Sequence, residues 1–147
     1  MSLRPDESPG FLLWQVTLRW QREMAATLAP LDLTHVQFVL LATTWWLNSQ
    51  GEEPNQLTVA RRAATDIKMT SQVVRRLEEK GLVERRVDPA DTRARRLRVT
   101  ERGAEMARAA IEAVEAADAE FFGQVPDPAA LLRALRPLAA PPDETSP

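Results

Sequence analysis

The sequence predicts a mainly α-helical chain that carries one small β-ribbon. Three observations point there. Six segments with apolar residues at helical spacing, most of them opened by a capping residue or a proline, take up the greater part of the 147 residues. One stretch breaks that pattern: LVERRV and RRLRV are β-rich runs on either side of the turn signal Asp88-Pro89-Ala90-Asp91. Charge is also segregated. Residues 61–102 hold 13 basic and 7 acidic side chains, a surplus of +6 that leaves −8 for the remainder of a chain of net charge −2.

The first helix opens at Ser8 as N-cap with Pro9 in the first helical position, and Pro30 ends it. The second starts at Thr34, with Gln37 three residues on as a capping box. SQGEEPN is a loop of turn formers. QLTVARRAA is a short helix whose apolar side is Leu57, Val59, Ala60 and Ala63 or Ala64. The helix MTSQVVRRLEEKG turns Thr70, Val73, Val74 and Leu77 inward, with Gly81 just past its end. After the ribbon, Thr100 caps a long alanine-rich helix from Glu101 to Phe122, about 33 Å at 1.5 Å per residue. Asp127 and Pro128 open a last short helix, and residues 140–147 read as a disordered tail.

Composition narrows the chemistry. The size is that of one domain able to bury a core unaided. With no cysteine and one histidine, disulfides, thiolate metal sites, thiol sensing and a histidine-rich metal site are excluded. No apolar run reaches the ~18 to 20 residues of a membrane helix, and MSLRPDESPG lacks a signal-peptide layout, so a cytoplasmic protein is expected. Few nucleophile-and-base constellations remain, so no enzyme is expected, and neither metal nor cofactor. Glu112, Glu115, Asp118 and Glu120 read as solvated acids on the long helix.

Two helices joined by a tight turn and followed by a basic hairpin make a winged helix-turn-helix, expected over residues 34–100. A basic middle between acidic flanks suits a polyanion, and double-stranded DNA is the partner this order implies. On the second helix of the pair, Gln72 can bond adenine bidentately, Arg75 guanine, and Ser71 a base or a phosphate. Lys68, just before the helix, also faces outward, and Met69 at its start is a further candidate contact. Arg76 also faces outward, with Glu79 three residues on as a competing partner. A wing arginine entering a narrow minor groove reads shape and potential. Arg95 points to one face of the ribbon, while Arg96 and Arg98 point to the other and pair with phosphates or with Glu84. Asp91 either orients Arg93 or makes an Asx-turn. A winged module that binds protein instead of DNA would predict a wing without arginines. RNA binding would favour exposed aromatics, which this ribbon lacks.

From Thr34 to Gly103 the chain resembles the MarR family of bacterial transcription regulators. The likeness rests on Leu33-Thr34 with Gln37, LTVARRAA, LEEKGLVERR, the Asp91-Thr92-Arg93 hairpin, and Val99-Thr100 with Gly103. Two positions depart from the family pattern: Pro54-Asn55, where an apolar residue and threonine are usual, and Gln72, where arginine is common. The resemblance implies a homodimer on a palindromic operator, joined by helices at about 9–29 and 101–139. It also implies a repressor released by a small aromatic or lipophilic effector, bound between the first helices and the winged part. All four tryptophans lie in those first helices, and Trp14, Trp20 and His35 are the candidate contacts. The helix dipole disfavours the cation of His35, in a first turn, which suits a neutral hydrogen-bonding partner for an acidic ligand; an exposed histidine with no role is the competing reading. Core and interface packing is the competing reading of the tryptophans.

Overall fold

The structure, a computed structural model, describes residues 4–91 and 95–139. A 3-10 turn (Pro5–Glu7) leads into α1 (Pro9–Leu28), and a second (Ala29–Leu31) separates it from α2 (His35–Ser49). Then follow α3 (Gln56–Ala63), α4 (Ile67–Glu79), β1 (Val83–Val87), β2 (Arg95–Val99), α5 (Glu101–Phe122) and α6 (Pro128–Ala139). This is the mainly helical, winged helix-turn-helix architecture that the sequence predicts.

Helix starts are written in side chains that satisfy otherwise orphaned backbone N–H groups. Ser8 Oγ accepts from Phe11, Asn55 Oδ1 from Thr58 at 2.8 Å, and Thr100 Oγ1 from Gly103 at 3.0 Å. Thr34 and Gln37 form the reciprocal box, at 3.2 and 3.1 Å. The expected start of α4 at Met69 is two residues late. Asp66 Oδ2 accepts from the Met69 N–H at 3.0 Å, and the helix begins at Ile67.

The core gathers around α2, which packs against α1, α3, α4, α5 and β2. Its Leu40, Leu41 and Leu47 meet Met24 and Leu28 of α1, Val59 of α3 and Val74 and Leu77 of α4. Ala107, Ala110 and Val114 line the buried side of α5, where small side chains permit close helix approach. In α3 the apolar side is narrower than expected. Val59 and Ala60 are buried, whereas Leu57 is 42% exposed and Ala64 caps the C-terminus in the left-handed region, at φ 54°.

β1 and β2 pair antiparallel with Val83 opposite Val99 and Val87 opposite Arg95. Gly81, at φ +75°, makes the turn from α4 into β1. There the chain crosses the start of α5 very closely. The Thr100 N–H donates to Leu82 O at 3.0 Å, and a Cβ on Gly103 would lie 1.8 Å from that same oxygen.

Apolar surface remains at both ends of the chain. Phe11, Leu13, Trp14 and Val16 of α1 are exposed, and α6 buries no residue although it carries Leu132, Leu135 and Leu138. No single described helix is long and apolar enough to cross a membrane. The expected tail at 140–147 lies outside the described residues.

Candidate nucleic-acid interface

The α3–α4 pair is held by its turn. The Thr65 and Thr70 hydroxyls meet at 2.7 Å, and Thr70 also donates to Asp66 O at 2.8 Å. Thr70, Val74 and Leu77 are buried, with Val73 packed at the edge of the core. This fixes which side of α4 faces out. Lys68, Gln72, Arg75 and Arg76 are exposed, Ser71 is half-buried, and Met69 is 45% exposed. Arg76 Nη1 lies 3.0 Å from Glu79 Oε2, the pairing that the sequence raises as the competitor to DNA. Both partners are well exposed, so the pair holds the arginine only weakly, by about 0 to 1 kcal/mol. At its far end α4 is pinned to the start of α2. Lys80 Nζ donates to Gln37 Oε1 at 3.0 Å and to the Asp32 carbonyl.

The wing divides its arginines by face. Val83, Arg85, Leu97 and Val99 share the inner face, where Val83 and Leu97 are buried and Arg85 reaches Glu78 of α4. Glu84, Arg86, Arg96 and Arg98 share the outer face. Here the expected partner of Arg98 is corrected. Glu84 is taken by Arg86 at 3.0 Å, and Arg98 pairs with Glu53 of the loop after α2 at 3.2 Å. Glu53 also lies 3.8 Å from Arg86, and Arg96 pairs with Asp88 at 3.1 Å. Three outer arginines therefore tie the wing to itself and to the preceding loop. Arg95 is exposed at the tip end of β2, on the opposite face. Asp88 makes an Asx-turn, its Oδ1 accepting the Ala90 N–H at 2.9 Å. That bond holds the Asp88 carboxyl below the usual range, with Arg96 adding to it. Asp91 is exposed at the tip, and Arg93 lies outside the described residues.

Of the candidate effector contacts, two meet and one does not. Trp20 stands edge-on to His35 with ring centroids 5.0 Å apart, and its indole N–H donates to Asp118 Oδ1 at 2.8 Å. Trp14 is 63% exposed, six residues back along α1 and outside this cluster. Burial pushes the His35 pKa down and the Asp118 charge partly opposes it. Desolvation is thus the main cause disfavouring the His35 cation. Asp118 is likewise no idle solvated acid. Trp45 and Trp46 border a separate open groove of about 590 Å³ with Ile111, Arg62 and Glu115.

Comparison with known proteins agrees with this geometry. An ArnR1-like winged-helix domain model matches residues 29–116. The HTH-type transcriptional regulator YdcH of Bacillus subtilis is 48% identical over 118 residues, 80% of each chain. Rv2887 of Mycobacterium tuberculosis, a MarR family protein, is 32% identical over 128 residues, 87% of this chain and 89% of that one. The chain belongs to the MarR family of winged helix-turn-helix transcription regulators. Among solved MarR-type structures, CouR of Rhodococcus jostii bound to p-coumaroyl-CoA superposes with a TM-score of 0.79 at 29% identity, covering 93% of this chain and 92% of that one. Mycobacterium tuberculosis Rv2887 in complex with DNA gives a TM-score of 0.70 at 30% identity, over 90% and 98%. Rv2887, named a transcriptional repressor, has also been solved with p-aminosalicylic acid.

Within this MarR-family chain, sequence reasoning missed residues that act at a distance along the chain. Asp66 was findable, because it stands three residues before Met69 as a cap should. Glu53, Asn48 and Asp118 gave no local signal. Their partners lie 45, 51 and 98 positions away in the sequence.

Proposed function

We propose that the protein is a ligand-responsive repressor that binds a palindromic operator as a homodimer. One observation carries this reading: α4 buries one side completely and presents Lys68, Gln72 and Arg75 together on the other, beside an arginine-bearing wing. In the major groove, Gln72 and Arg75 read base edges. Lys68, Met69, Ser71 and Arg76 contact phosphates or neighbouring bases, Arg76 after leaving Glu79. Arg93 and Arg95 of the wing enter the flanking minor groove, with Asp91 at the turn. Residues 34–100 do the reading, and the helices at 9–29 and 101–139 pair two copies, in the cytoplasm and without catalysis. The exposed apolar sides of α1 and α6 support the pairing.

The effector is an aromatic or lipophilic molecule that enters near Trp20 and His35, where a half-buried neutral imidazole offers one donor and one acceptor. The ligands of CouR and Rv2887 support an aromatic acid or thioester. Trp14 joins only if the second copy brings it near. Ligand can release DNA only to the extent that it prefers the state unfit for the operator.

Selection of bound fragments from random duplexes tests this directly. The expected consensus is a palindrome with half-sites one helical turn apart, about 34 Å. Gln72→Ala should then relax preference at one position per half-site by about 1 to 3 kcal/mol, whereas Lys68→Ala should weaken all sequences alike and lower the salt slope by about 1. Equal losses on every sequence from both variants would refute the assignment. Titration with p-aminosalicylate or salicylate should quench tryptophan and lower operator affinity together.

A further inference from the structure

The outer edge of β2 is closed by the backbone of the preceding loop, which bridges from Asn55 to Arg96, and by one side chain. Leu97 turns its N–H and C=O away from β1, and the N–H donates to Pro54 O at 2.8 Å. Its carbonyl accepts from Asn48 Nδ2 at 3.2 Å, and the next outward group, the Val99 N–H, donates to Asn48 Oδ1 at 2.8 Å. The same Nδ2 donates to Glu52 O at 2.9 Å. Asn48 stands in the last turn of α2, so its amide joins three pieces: the central helix, the loop after it, and the returning strand of the wing. It offers β2 one acceptor and one donor side by side, as a third strand would.

We infer that Asn48 is a positioning residue for DNA binding, setting the angle of the wing against α2 and hence against α4. The inference rests on the wing reading proposed above. Leu97 and Val83 anchor the ribbon at its root, but apolar burial has no direction and does not by itself fix rotation. Hydrogen bonds do. The ion pairs of Glu53 with Arg86 and Arg98 join long, half-exposed side chains and hold an angle poorly. Arg95 lies four residues along the strand from Val99, a lever of about 13 Å, so a 10° swing moves it by about 2 Å. That displacement exceeds the whole working range of a hydrogen bond. Without Asn48, α4 seats on the operator as before while the wing arginines miss their groove.

The test is a double-mutant cycle on operator DNA, run with the full chain after circular dichroism confirms the helical fold of each variant. Arg95→Ala should weaken binding in the native background and have little further effect in Asn48→Ala. The expected non-additivity is about 5-fold or more. Gln72→Ala should cost the same in both backgrounds, which a general loss of stability would not leave unchanged. Asn48→Asp, which keeps the acceptor for Val99 and loses both donors, should behave like Asn48→Ala and serves if the alanine variant does not fold. If Arg95→Ala and the Asn48 variants multiply independently, the positioning role is overturned while the wing reading stands. If Arg95→Ala is silent in the native protein, the wing reading itself fails and the inference with it.

Discussion

At the scale of single residues, His35 shows how a side chain's surroundings replace its intrinsic behaviour. Packed against Trp20, it is depressed below its ordinary value of 6.5 by burial, while Asp118 pulls the other way. The sign of the linkage follows. The native state holds the imidazole neutral, and the unfolded chain takes up a proton as pH falls through 6.5. His35 therefore subtracts nothing above that value and removes stability as pH falls from there through its lower native pKa. Urea unfolding across this range should show a slope that His35→Gln abolishes. Asp118→Asn, which removes the opposing charge, should carry the loss to lower pH. An unchanged slope in His35→Gln would place the titration elsewhere. The tryptophan clustering was visible in the sequence. The Asp118 partner was not, because an aspartate 98 positions from Trp20 on an alanine-rich helix looks like any surface acid.

Elements were legible where their signals are local. Caps at Ser8, Thr34, Thr100 and Asp127 sit three residues before the N–H groups they satisfy, and each of these helices begins where its cap dictates. The two strands and their turn were equally plain. What pattern could not supply was the way elements cross. In the sequence, Gly103 stands out only as part of a family pattern. In the structure it is the point where α5 lies against the Leu82 carbonyl, with no space for a methyl group. Gly103→Ala should raise helix propensity and still lower stability by about 1 to 3 kcal/mol or more, since the obstacle is backbone and cannot rotate away. Chemical denaturation would register this as a lower midpoint with an unchanged slope. A stabilised variant would mean that the wing root shifts freely. The same limit explains the outer wing. Six arginines in a hairpin are easily counted, but that Arg98 answers to Glu53 and Arg96 to Asp88 depends on where the loop after α2 folds back.

For the whole molecule, the distribution of apolar surface decides how it exists in solution. Phe11, Leu13, Trp14 and Val16 on α1 and Leu132, Leu135 and Leu138 on α6 are exposed, and apolar surface gathered on a helix marks contact sites. Under the proposed pairing these two helices bury against a second copy, and isologous contact sets two α4 helices on one side of the duplex. Light scattering at micromolar concentration should return twice the mass of 16.5 kDa. Replacing Leu13 and Trp14 together by glutamate should give monomers that lose operator binding while keeping their helical spectrum. A native monomer would remove the pairing and, with it, the palindrome.

The sealed edge of β2 has a consequence outside DNA recognition. An open strand edge is a row of backbone donors and acceptors on which a strand of another molecule can dock, and such docking is the first step of aggregation. Here Pro54 and Asn48 occupy those groups at Leu97 and Val99. Loss of the Asn48 amide would open the Leu97 carbonyl and the Val99 N–H. The asparagine to which we assign the setting of the wing therefore also covers backbone groups that would otherwise be open to a third strand from a neighbour.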